Sequence, residues 1–294
     1  MNNQTSLIIK NISWLNSFKA ANYLNSLVIG SWIIRSFNPS EIGMYGYANS
    51  VTEILASLAG IGITQPLLKD FSSDKPITRK LLTTTSLIYF ISSTILYACL
   101  LIFAARRPEL EIKILLSVLG LKVLLKFTDI YETWYLSKTQ SKEFVSAQII
   151  ALLTSSSIKT AAIYTDQSIV IIAIADIASI LALALTLELK TGLIRSTFKE
   201  KLNITPNIKS ILHLAKRGLP FMISSTLIAL NLQIDMLLVK HFLGLTGAGI
   251  YVAALKIPTI IPGILYSIEQ TMAPINLKYI EQGTDSLSTF KKTY

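Results

Sequence analysis

The chain has 294 residues, 51% of them hydrophobic and only 15% charged, and a formal net charge of +10. With a mean hydropathy of +0.54 it has too little polar surface for a soluble globular chain of this length. One cysteine, Cys99, excludes a disulfide framework or multi-cysteine metal site, and Lys and Arg placed beside apolar segments exclude nucleic acid as the partner.

A helix needs about 20 predominantly apolar residues to cross the hydrocarbon core. Eight segments qualify, at 12–35, 43–63, 82–104, 113–136, 144–165, 168–189, 213–240 and 250–272. An open sheet would leave unpaired backbone groups in lipid. The expectation is an all-α polytopic membrane protein with about eight transmembrane helices.

Span 1 carries Asn16, Lys19, Asn22 and Asn25. No small-residue cleavage site follows it, so it is expected to stay as an anchor. The turn Phe37-Asn38-Pro39-Ser40-Glu41-Ile42-Gly43-Met44-Tyr45 leads into span 2. Glu53 falls near the middle of that span by rise per residue. Span 3 holds Cys99, read as a small buried apolar side chain.

Span 4 carries Lys122, Lys126 and Asp129. Spacings of four and three put them on one face of a continuous helix. Such a stripe cannot face lipid and is expected to face the bundle interior or a wet path; the alternative for Lys126 and Asp129 is a structural ion pair with each other. Span 5 adds Lys159 and Ser155-Ser156-Ser157, and span 6 adds Asp176 near mid-membrane. Span 7 opens at Leu219-Pro220, carries Asp235, and has His213 and His241 at opposite ends, where they cannot share a ligand. The turn Phe242-Leu243-Gly244-Leu245-Thr246-Gly247-Ala248-Gly249-Ile250-Tyr251 leads into span 8, which holds Lys256.

The two turns form an internal repeat about 206 residues apart, a length that suits two related membrane bundles. The expected organisation is a six-helix lobe over 1–189, a basic linker over 190–212, and a partial second lobe over 213–294 with two spans and a tail. Lys and Arg in the connections favour one side of the membrane by about four to one. That side is expected to be cytoplasmic and to hold both termini.

Lys19, Lys122 and Lys126 are the candidate substrate-binding residues, because they lie too deep to snorkel comfortably. Lys159 and Lys256 lie nearer the outer face, where snorkelling explains them as well as function does. Asp235, Asp129, Glu53 and Asp176 are candidates for coupling to a proton or sodium ion, since buried carboxylates can titrate near neutral pH. No phosphate loop, H-E-x-x-H motif or nucleophile elbow occurs. The chain therefore reads as a carrier and not an enzyme, with no cofactor expected.

Arg217-Gly218-Leu219-Pro220, Asp235-Met236-Leu237-Leu238, Phe242-Leu243-Gly244 and Gly249-Ile250-Tyr251-Val252-Ala253-Ala254 resemble the seventh span and following turn of a known family. This is the polysaccharide transporter family of the multidrug/oligosaccharidyl-lipid/polysaccharide exporter superfamily, and the pattern is similar to its Wzx-type O-antigen flippases. Pro39-Ser40-Glu41-Ile42-Gly43-Met44-Tyr45 and Thr133-Trp134-Tyr135 with Phe144 match that family more loosely.

The resemblance implies two six-helix lobes around a central cavity, of which this chain would carry the first lobe and two helices of the second. It implies translocation of a polyprenyl-pyrophosphate-linked oligosaccharide, such as an O-antigen repeat unit, across the bacterial inner membrane. The implied partners are that substrate, anionic membrane lipids, and a glycan polymerase and ligase. The alternatives are a truncated, non-transporting membrane partner of glycan-assembly enzymes and a small-molecule cation antiporter, which a cationic interior disfavours.

Overall fold

The computed structural model describes residues 3–72, 79–138, 141–191 and 208–256. They are helical throughout, with no strand among the described residues. In chain order the helices are α1 (Asn3–Ser36), α2 (Pro39–Leu58), α3 (Thr64–Ser72), α4 (Arg79–Ala105) and α5 (Leu110–Leu124). They continue with α6 (Asp129–Ser137), α7 (Ser141–Tyr164), α8 (Ile169–Thr191) and α9 (Ile208–Leu255). A helix occupies every expected span over its described residues. Residues 192–207, most of the expected linker, and residues 257–294 lie outside them.

Among the described residues three helical stretches are long and apolar enough to cross a membrane: Thr84–Ala105, Ile169–Thr191 and Leu212–Leu255. The bent pair Pro39–Gly62 and Thr64–Phe71, 43° apart, makes a fourth if taken as one span. Polar and charged residues such as Asn16, Lys19 and Asn22 interrupt the apolar run of α1, span 4 is divided into two shorter helices, and most of span 8 lies outside the described residues. The protein is an all-α membrane protein.

Local chemistry sets where the helices start and break. Pro39 opens α2, where a missing N–H is harmless, and the Glu41 carboxylate accepts from the Asn38 N–H at 2.9 Å. Helix α2 ends in a 3₁₀ turn, Ala59–Gly62, with Gly60, Ile61 and Gly62 all at positive φ. Glycine takes that conformation freely, whereas a β-branched residue such as Ile61 is strained there. Span 4 is also broken: a 3₁₀ turn at Leu125–Thr128 separates α5 from α6. Within α9, Gly244 at φ 71°, ψ −171° marks the change from span 7 to span 8.

The largest apolar core joins α2, α4, α5, α8 and α9 through residues such as Tyr47, Leu100, Leu116, Ile172 and Met236. A second core, with Leu67, Phe71, Tyr89, Ile130 and Leu214, lies at the end where the basic loops fall. Cys99, expected to be buried, is exposed on α4; its position on the apolar span did not fix which face it takes.

The repeat read in the sequence is also a contact. A Cβ built on Gly43 would lie 1.9 Å from the Leu245 carbonyl oxygen, and one on Gly249 would lie 1.7 Å from the Pro39 carbonyl oxygen. The same offset of 206 residues carries Pro39 onto Leu245 and Gly43 onto Gly249. The two approaches are thus one contact seen from each partner, the signature of a local two-fold relation. Small residues permit such close backbone crossings in membranes. From this crossing α9 follows span 2 toward the other end. Ser50 donates to Gln233 at 2.7 Å, Ser57 lies 3.5 Å from Thr226, and Arg217 forks onto Asp70 with two 3.1 Å bonds.

Candidate functional site

Tyr45, Asn49 and Glu53 follow one another at intervals of four on α2, which puts them on one face of that helix. Lys122 reaches that face from α5. Its Nζ donates to Asn49 Oδ1 at 2.7 Å and to Glu53 Oε1 at 3.4 Å, and lies 4.0 Å from Asp176 Oδ2. Lys159 on α7 donates to Asp176 Oδ1 at 2.6 Å, and the Tyr45 hydroxyl donates to the other carboxylate oxygen. Lys256, at the end of α9, feels the charges of both Lys159 and Asp176.

This central cluster joins α2, α5, α7, α8 and the end of α9. Among the described residues it contains three lysines, Lys122, Lys159 and Lys256, and two carboxylates, Glu53 and Asp176. Burying charges in lipid is tolerated only where partners or a wet cavity compensate them. Asp176 is the anchor: its side chain is 16% exposed and it holds two lysines and a tyrosine. Glu53 is the more exposed member, at 43%, and lies 3.4 Å from Lys122.

A second charged group lies nearer the basic end. Lys126 pairs with Asp129 at 3.0 Å, and Lys19 on α1 interacts electrostatically with Glu132 on α6. Its two cations meet two anions. The charged stripe expected on span 4 is therefore bent rather than continuous: Lys126 pairs with Asp129 but still interacts electrostatically with Glu53 of the central cluster. The 3₁₀ turn at Leu125–Thr128 breaks the helical phase, so Lys122 faces α2 and α8 while Lys126 turns to Asp129. The structure brings Lys122, Glu53 and Asp176 together. It places Lys19, Lys126 and Asp129 in the second group. Asp235 is exposed on α9 and accepts from the Tyr251 hydroxyl at 3.3 Å.

Tyr45, Asn49, Lys159 and Lys256 were absent from the expected site. The interval of four through Tyr45, Asn49 and Glu53 was the available sign. For the two lysines no local signal exists, since depth along a span does not say which way its side chains face. Polar residues of spans 1 and 5 also meet between helices: Ser156 on α7 donates to Asn25 on α1 at 2.9 Å.

Residues 8–279 match the family described as "Polysaccharide biosynthesis protein". The chain belongs to that family. The match covers nearly the whole sequence, so it takes in both repeats and every member of the central cluster. No curated protein and no solved structure matches the chain significantly.

Proposed function

We propose that the protein carries a polyprenyl-pyrophosphate-linked oligosaccharide, such as an O-antigen repeat unit, across the bacterial inner membrane as a flippase. The observation that supports this most is the central cluster, a partly buried group with more lysines than carboxylates among the described residues. A pyrophosphate loses strong hydration on entering the membrane, and charge-assisted hydrogen bonds from lysines offset that loss. The polyprenyl tail remains in lipid, and the two repeats move to expose the headgroup to either side in turn.

Within this reading Lys122 and Lys159 hold the pyrophosphate. Glu53, the exposed carboxylate, gives up Lys122 when the anion arrives. Lys126 is committed to Asp129 and contributes little to binding. Glu53 and Asp176 are the carboxylates placed to sense a coupling proton or sodium ion, since both touch the lysines that would bind substrate. The protein acts as a carrier and not a catalyst, with both termini on the cytoplasmic side, beside anionic lipids and a glycan polymerase and ligase.

The test is flipping of a fluorescent lipid-linked oligosaccharide by the purified protein in liposomes. Lys122→Gln and Lys159→Gln are expected to abolish transfer, and Lys126→Gln to leave most of it. Full transfer by both Lys122→Gln and Lys159→Gln would remove the cluster from the mechanism.

A further inference from the structure

We propose that Lys256, brought from the second repeat, is a further ligand of the substrate pyrophosphate, and that Gly30 on α1 is the slot that admits it. The inference rests on the reading of the central cluster as the anion site.

Lys256 stands at the C-terminal end of α9, where its backbone N–H reaches Ala253 O at 3.3 Å. From there its side chain runs across to α1. A Cβ built on Gly30 would lie 2.8 Å from Lys256 Nζ, 3.1 Å from its Cε and 3.6 Å from its Cδ. The last three atoms of the lysine thus lie along the bare backbone of one glycine, and Gly30 is buried.

A lysine that only snorkels keeps its head in water and headgroups. This one directs its head against a buried glycine and within range of Lys159 and Asp176. The neighbouring cations make the arrangement informative. Lys159 already donates to Asp176 at 2.6 Å, and Lys122 lies 4.0 Å from the same carboxylate. Bringing Lys256 to this group adds a third lysine to two that already face Asp176 and Glu53. Like charges repel strongly in a poorly solvated site, and an incoming pyrophosphate removes that repulsion. The other lysines of the cluster, Lys122 and Lys159, lie on α5 and α7. Lys256 comes from beyond the Gly244 break, so an anion bound by all three would bridge the two repeats.

Gly30 also supplies a clean perturbation. The atoms in its way belong to the tip of a flexible side chain, not to backbone. A larger residue at position 30 therefore expels the ammonium while every charge in the protein remains. Glycine within a helix is itself unfavourable, so the change costs α1 little.

The experiment measures binding of farnesyl pyrophosphate to the full-length protein in nanodiscs. Lys256→Gln and Gly30→Leu are each expected to weaken binding about tenfold, the effect of one lost charge-assisted hydrogen bond. Lys256→Arg stays within about twofold, because the charge is kept. The pair Gly30→Leu/Lys256→Gln is no weaker than either single variant, because both remove the same contact. Lys122→Gln is the control for the site itself. If Lys122→Gln loses binding while Lys256→Gln retains it, the role of Lys256 is overturned and the cluster stands. If Lys122→Gln also binds normally, the cluster reading itself fails. If Gly30→Leu weakens binding and Lys256→Gln does not, position 30 acts by packing alone and the slot is refuted.

Discussion

Gly43→Ala is the most direct test of the contact between the two repeats. The added methyl would begin 1.9 Å from the Leu245 carbonyl oxygen, while an ordinary contact needs about 3.3 Å between such atoms. Both obstructing groups are backbone, so no rotamer change relieves the clash. The helices must part by roughly 1.4 Å, and the cost is about 3 kcal/mol, the upper end for overpacking. Gly249→Ala meets the Pro39 carbonyl oxygen at 1.7 Å and should cost as much, about 3 kcal/mol. Because the two positions belong to one crossing, parting the helices for the first methyl makes room for the second. The double variant should therefore cost about 4 kcal/mol and not the sum of the two singles. Gly46→Ala is the internal comparison. Its methyl meets the tips of Met236 and Val252 at 2.6 and 2.7 Å, and flexible side chains can yield, so about 1 kcal/mol is expected. The assay is thermal unfolding in detergent followed by fluorescence-detected size exclusion. Equal losses for Gly46→Ala and Gly43→Ala, or full additivity of Gly43→Ala with Gly249→Ala, would refute the reciprocal crossing.

The other predictions concern charge and hydrogen bonding. Asp70 and Arg217 join α3 to α9, but their side chains are 27% and 37% exposed, so Asp70→Asn should cost only about 1 kcal/mol; the exchange Asp70→Arg/Arg217→Asp should restore most of it in a double-mutant cycle. Asp176→Asn leaves Lys159 and Lys122 without their shared carboxylate in a site 15–19% exposed. It should lower stability by about 3 kcal/mol, and Lys159→Met in the same chain should recover part of the loss in the same unfolding assay. Removing the Asn25–Ser156 hydrogen bond with Ser156→Ala should cost about 0.6 kcal/mol, and a loss above about 2 kcal/mol would assign Ser156 a larger role.

The helices were legible because long apolar runs leave few alternatives in lipid. The repeat was legible as well, since its glycines and tyrosines recur at fixed spacing. Their meeting in space was not, because periodicity says nothing of which helices cross. The charged residues were legible one at a time. Lys122, Glu53 and Asp176 stood out by depth, yet nothing in the sequence joins residues on three different helices. The break in span 4 escaped notice because Leu125-Lys126-Phe127-Thr128 contains neither Gly nor Pro. That break turns the Lys126 side chain toward Asp129, whereas Lys122 reaches Asn49 and Glu53. Lys159 and Lys256 looked like snorkelling residues because their distance from the membrane surface could be counted and their direction could not.

The span 2 segment also touches α9 backbone-to-backbone at a second place. A Cβ on Gly62 would lie 2.4 Å from the Gly218 carbonyl oxygen, and one on Gly218 would lie 2.2 Å from the Ile61 carbonyl oxygen. Together with the Gly43–Gly249 crossing, this pins α2 near both its ends. A rigid body fixed at two points keeps a single freedom, rotation about the line between them. While both contacts hold, the repeats cannot slide past each other; they can only swing, as a door does on its post. Tyr45, Asn49 and Glu53 are carried by that post. They lie near the axis and travel least, so the polar face of α2 stays in place while the walls around it turn.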